Sequence, residues 1–313
     1  MFNYSNRLWL LWMTAGITAI LLAFGCNKAD PNQHDQLDTK QDPSIDATIL
    51  HKDTKMAMRA INISYANVIK MLDSLNFESR SIITFSRGGK ELQETHFGIV
   101  TQDVSGNFYT FSDTGPSQTE IYLIDEDVYI RQDKGHLRKT SRRQTDIEKW
   151  PELIWSELRQ SLALFSPRLS LSEPKPDAVD GRQAIRYPIA LTRPNEQSID
   201  IPISSSNMPV APTARWRELA KPLSVSGNIW VDTATGIILK SHIEGRLEVA
   251  DRDVRPTQLL LRFDGAIKKI GKATVRNVPK SINEYQRIPP PHKSLIEFFA
   301  DDLKQAGPNA YIP

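Results

Sequence analysis

The chain has 313 residues, 39 Lys and Arg against 37 Asp and Glu, a net charge of +2 at pH 7, and one cysteine. That near balance gives no general electrostatic case for nucleic acid. One cysteine excludes an internal disulfide, so an exported domain of this size rests on its apolar core alone.

The first stretch decides where the rest will live. Arg7 precedes an uncharged, mostly apolar run over 8–25, which stops at the only cysteine, Cys26. That is the layout of a secretory signal. Leu22, Ala23, Phe24, Gly25 and Cys26 resemble the lipobox of bacterial lipoproteins, with Ala23 and Phe24 departing from its commonest form. The resemblance implies cleavage beside the small Gly25, a thioether from Cys26 to a diacylglyceryl group, and further acylation by a fatty acid such as palmitate. Two or three chains, each yielding about 0.8 kcal/mol per buried CH₂, make such an anchor effectively permanent. Asn27, in place of the aspartate that retains enteric lipoproteins at the inner membrane, favours by analogy the periplasmic face of the outer membrane. The alternatives are an uncleaved membrane helix and a core helix whose cysteine is incidental.

The predicted domains follow in order: a signal peptide over 1–25, lipidated Cys26 and a tether over 26–53, a folded domain over 54–279, and a tail over 280–313 with a short helix near 295–303. The tether is polar and has no sustained apolar period. As a flexible coil it spans about 30 Å.

From 54 to 76 Met58, Ile61, Tyr65, Val68, Leu72 and Leu75 recur at spacings of three and four, which predicts one amphipathic helix. Alternating runs follow at 77–87 and 92–103, joined by Gly88 and Gly89 as a hairpin. Further strands are expected at 107–112, 120–124, 128–132 and 136–140. A second helix is predicted between 145 and 165, opening either on a capping box from Thr145 to Glu148 or at Pro151, with Ile154, Leu158, Leu162 and Phe165 on one face. Strands resume at Gly181, with an irregular, proline-broken excursion over 193–213 and a short helix over 213–221. The clearest signal is last: Ile237, Leu239, Ser241, Ile243, Gly245, Leu247 and Val249 alternate with polar residues, and Leu259, Leu261, Phe263, Gly265 and Ile267 repeat the pattern. Such strands have one wet and one dry face, and Gly245 and Gly265 are where a bend is easiest. The expected fold class is α+β: a curled antiparallel half-barrel of about eleven strands, with helices covering the concave side.

Trp230-Val231-Asp232, a turn closed by Thr235-Gly236, and a second strand opening on Ile237 are similar to a hairpin of the LolA/LolB superfamily, whose relatives include RseB and the LppX/LprG lipoproteins. In that turn Asp232 is placed to accept hydrogen bonds from the turn amides, and Gly236 to take a positive φ. The order of elements also resembles that family, loosely over 54–279. The resemblance implies an apolar groove that receives the acyl chains of lipids or lipoproteins without catalysis or cofactor.

The site signals are otherwise sparse. His34, His51, His96, His136, His242 and His292 are scattered, with none at the helical zinc spacing. There is no nucleophile elbow, phosphate loop or calcium loop. Asp125, Glu126 and Asp127 read as a soluble hairpin tip, and Arg138, Lys139, Arg142 and Arg143 as a solvated loop or a contact for anionic headgroups. The expected ligand-binding residues are Ile243, Leu247, Leu261 and Phe263 on the dry face, which equally suit a filled core. The expected partners are the membrane, through Cys26, and a lipid or lipoprotein cargo. The alternative is a tethered scaffold or sensor that binds a protein partner through the same fold.

Overall fold

The computed structural model describes residues 54–87, 89–115, 117–142, 147–166, 168–192, 220–249, 257–279 and 282–284. The leader, Cys26, the tether, the Thr145 cap, the excursion over 193–213 and the tail helix lie outside them.

The stripe predicted over 54–76 exists, but on two helices, α1 (Thr54–Ala60) and α2 (Tyr65–Leu72). Ser64 breaks the run. Its backbone is extended and its Oγ accepts a hydrogen bond from the Asn67 N–H at 3.3 Å, so α2 restarts with its own N-cap. Met58, Ile61, Tyr65, Val68, Leu72 and Leu75 are all buried, so burial follows the apolar period across the break.

The first strands form a meander: β1 (Leu75–Arg87), β2 (Lys90–Gln102), β3 (Phe108–Asp113), β4 (Gln118–Ile124), β5 (Asp127–Gln132) and β6 (Leu137–Ser141). Asp125, Asp133 and Asp180 take positive φ in their turns, a conformation that short polar side chains tolerate. The second predicted helix is also divided, into α3 (Lys149–Trp155) and α4 (Glu157–Ala163). Pro151 lies in the first turn of α3, where a missing N–H costs nothing. Trp150 and Trp155 are buried.

Two short strands unmarked in the sequence come next, β7 (Leu169–Leu171) and β8 (Lys175–Val179), both pairing with β9 (Arg182–Leu191). Then come β10 (Ala220–Asp232), β11 (Ile238–Val249), β12 (Thr257–Lys268) and β13 (Ile282–Glu284). Ala220 and Lys221, expected in a short helix, open β10 instead, paired with Val249 and Glu248. In the β10–β11 hairpin Gly236 has φ +73. The Asp232 carboxylate accepts from the Thr235 hydroxyl at 2.6 Å and from Nε and Nη2 of Arg182. It thus ties β10 to β9, in contrast to the expected bonds from the turn amides.

These strands make one open sheet in the order β13-β6-β5-β4-β3-β2-β1-β12-β11-β10-β9-β7, with β8 also on β9, thirteen strands among the described residues. Every pair is antiparallel except β13 with β6. The pairing that unites the sheet is β1 with β12, in register from Asn76 opposite Lys268 to Ser86 opposite Gln258. It sets the first hairpin beside the last long strands. The α+β half-barrel expected from the sequence is the fold observed.

On the concave face one apolar cluster joins α1 and α2, Ile154, Leu158, Leu162 and Phe165, and the inward residues of β1 and β9 to β12. The outer face of the meander has its own cover. Lys269 and Gly271, both at positive φ, turn the chain back after β12. Val275 and Val278 then pack on Tyr109, Tyr122 and Leu137. The Arg276 guanidinium stacks 3.8 Å from the Tyr109 ring centre and pairs with buried Glu120.

Gly245 shows how closely the cover fits. A Cβ there would lie 2.1 Å from Cζ of Phe165, a ring with no exposure. Gly245→Ala is expected to destabilise the protein by about 1–3 kcal/mol through overpacking. Urea unfolding reads this as a lower midpoint, and Phe165→Leu in the same chain is expected to recover part of the loss.

Candidate functional site

Strand register assembles the candidate face row by row. Ile83 lies opposite Leu261, Ser81 opposite Phe263, and Ser79 opposite Gly265. On the other side of β12, Ile243 faces Phe263, Gly245 faces Leu261, and Leu247 faces Leu259. The four residues expected to bind ligand, Ile243, Leu247, Leu261 and Phe263, are thus brought together, each at 0% exposure. Side chains of the helical cover occupy the space above them. Two glycines shape it: Phe165 fills the notch over Gly245, and Ile154 fills the notch over Gly98, where a Cβ would lie 2.7 Å from its Cγ2. A cavity of about 10 Å³ lies between Ile61, Ile63, Trp155 and Leu158. A cleft of about 240 Å³ opens near Phe111, Glu120, Arg131 and Lys134. None of the four expected residues lines either.

A polar cluster lies within this apolar face. The alternation of β2 that buries Gly98 and Val100 also buries His96, which register places opposite Ser81. The first residue of α4, Glu157, reaches down to it: one carboxylate oxygen pairs with His96 Nδ1, and the other accepts from the Ser79 hydroxyl at 3.1 Å. His96 Nε2 meets Ser112 Oγ of β3 at 2.9 Å. All four are buried, His96 at 5% exposure and Glu157 at 7%. Burial alone pushes the imidazole toward neutrality. The Glu157 carboxylate, by charge and by hydrogen bond, with Asp113 adding to it, reverses this and raises the His96 pKa above the ordinary histidine value. The neighbouring carboxylate thus favours the protonated form of the imidazole.

Ser112, His96 and Glu157 are connected like a serine nucleophile relay. Ser112, however, lies mid-sheet between β2 and β4, where ladder pairing engages backbone N–H groups instead of aiming them at an oxyanion. The raised pKa also favours the protonated imidazole, which is a poor acceptor for the serine hydroxyl. The cluster is built to hold a carboxylate.

The same cover is fastened at its other end. Trp155 Nε1 donates to the Ile63 carbonyl at 2.8 Å, and Glu152 accepts from the Tyr65 N–H at 2.6 Å. Burial holds the Glu152 carboxyl above its usual pKa.

The sequence grouped none of these polar residues. Only the hairpin pairing puts His96 over Ser81, and Glu157 is remote from both in the chain. The available signal was the phase of β2, in which His96, Gly98 and Val100 share a face. The other noted groups are surface features. His242 pairs with Asp264 at 2.6 Å on the outer face, Lys139 with Asp127 at 2.6 Å, and Arg142 with Glu148 at 2.9 Å. Arg143 lies outside the described residues.

No family model matches the chain, and no curated protein matches it. Solved structures do. The fold is similar to that of a LolA-superfamily protein from Nitrosomonas europaea, at 10% identity and TM-score 0.19, over 69% of this chain and 96% of that one. It is similar also to a putative outer membrane lipoprotein-sorting protein domain from Vibrio parahaemolyticus, at 8% identity and TM-score 0.22, over 68% and 93%. A third is the MucA/MucB complex of Pseudomonas aeruginosa, at 13% identity and TM-score 0.17, over 65% of this chain and 56% of that one. At these scores the half-barrel stands on this chain's own strand order and register.

The raised His96 pKa fixes the sign of a pH dependence. Stability from the His96–Glu157 pair is fully present below the ordinary value of 6.5 and is lost as the pH rises through the higher folded value. Urea midpoints measured from pH 6 upward are expected to fall for the native chain and to stay flatter for His96→Gln. Parallel curves would mean that folding does not raise the His96 pKa.

Proposed function

We propose that this protein is an envelope lipoprotein, tethered through Cys26, that binds the acyl chain of a lipid or acylated ligand without catalysis. The site is the concave face around Ile243, Leu247, Leu261 and Phe263, and the ligand enters by displacing the helical cover. The supporting observation is the pair of glycine notches at Gly98 and Gly245, each filled by an apolar side chain from the cover, Ile154 and Phe165. A dry face sealed by small removable pieces, in place of a second sheet, suits exchange of one apolar occupant for another.

The magnitudes allow the exchange. Sixteen carbons of acyl chain yield roughly 12 kcal/mol of gross burial at about 0.8 kcal/mol per CH₂. Exposing Ile154, Leu158, Leu162 and Phe165 costs roughly 6–12 kcal/mol at about 1.5–3 kcal/mol each. The gain is at least as large as the loss, so one apolar occupant can replace the other, and affinity comes from area more than from polar contacts.

A second reading, a tethered scaffold or sensor for a protein partner, draws on the four lining residues being covered at rest. The two differ in what accompanies the purified protein. Native mass spectrometry of protein released from membranes is expected to show a lipid-sized adduct; uniformly unliganded protein favours the scaffold. Cys26→Ser is expected to move the full chain from the membrane fraction to the soluble one. A variant that stays with the membrane as strongly as the original rules out tethering through sulfur.

A further inference from the structure

We infer that the Glu157 carboxylate holds the place of a ligand's own carboxylate, so that the acyl compound taken up by this site is a free long-chain fatty acid whose head group pairs with His96 and Ser79. This rests on the acyl-binding reading above and names its ligand class.

Three observations carry it. First, the two sides of the contact belong to different parts of the fold. The donors His96 and Ser79, with Ser112 behind the imidazole, come from three adjacent sheet strands, β2, β1 and β3, whereas the carboxylate comes from α4 in the cover. When the cover lifts, the acceptor leaves and the donors remain as a formed receptor. Second, the receptor is buried, with His96, Ser79 and Ser112 at 5%, 2% and 4% exposure, so the place of Glu157 is one in which water is a poor substitute for an anion. Third, it lies at one end of the apolar row. His96 is opposite Ser81, Ser81 opposite Phe263, and Phe263 opposite Ile243. Three strand spacings, roughly 15 Å, separate the receptor from Ile243, a distance on the scale of a long acyl chain. One polar end and one apolar run make an amphiphile's site.

A carboxylate suits this receptor for the reason that Glu157 does. Its two oxygens serve the imidazolium and the hydroxyl together, and charge-assisted hydrogen bonds in a dry site are stronger than neutral ones. An esterified chain lacks that charge and so matches less well the contact that Glu157 makes with His96.

The test compares oleate with methyl oleate, which share a chain and differ in the head group, by calorimetric titration into the full-length chain carrying Cys26→Ser, with far-UV circular dichroism to confirm folding. Oleate is expected to bind about tenfold or more tighter than its methyl ester. His96→Gln is expected to remove that preference, bringing the ratio of the two affinities close to one. Glu157→Gln, which keeps the receptor and removes the competing charge, is expected to bind oleate more tightly than the native chain does. Equal binding of the two ligands, unchanged by either substitution, overturns the head-group inference and leaves the acyl reading standing. Failure of both ligands to bind the native chain and Glu157→Gln overturns the acyl reading itself.

Discussion

The pairing of β1 with β12 is the contact on which the rest depends. It places Ile83, Ser81 and Ser79 beside Leu261, Phe263 and Gly265 and so merges a meander and a group of late strands into one sheet with one dry face. Without it each part would present an open edge and half a face. With it, the apolar row from Ile83 to Leu247 is continuous, and helices are the only described elements covering it.

Much of this was legible because burial follows period. In β12 the odd residues from Thr257 to Ile267 are buried, as the alternation from Leu259 onward required. The hairpin at Gly89 and the turns at Asp125 and Asp133 were marked by residues that accept positive φ. Helix continuity was less legible, since an apolar stripe reports which face is buried and is silent on where the backbone breaks. Ser64 interrupts the first helix by capping the next, and Ser156 stands between α3 and α4. The strands β7 and β8 gave little signal, being short and, in β8, largely exposed. Among the described strands both pair only with β9.

The candidate site divides in the same way. Ile243, Leu247, Leu261 and Phe263 were recoverable from phase and did converge. The cluster of His96, Ser79, Ser112 and Glu157 was not, because three strand registers and the seating of α4 must all be known before those residues meet. A buried ion pair contributes little net stability once desolvation is counted, yet losing one partner is costly. The cluster therefore fixes how α4 seats on the sheet more than it adds to stability.

The strap from Lys269 onward, with Arg276 stacked on Tyr109 and β13 lying along β6, also bears on how the chain is made. Glu78 and Lys268, bonded in the folded protein, are 190 residues apart, and topology of that kind folds slowly. During synthesis the thirteen-residue β1 waits with an open hydrogen-bonding edge until nearly the whole domain has emerged. The strap and β13 join only after that. A half-made molecule is thus prone to pair with its neighbours, and the polypeptide gains from being kept extended or escorted until β12 and the strap are available.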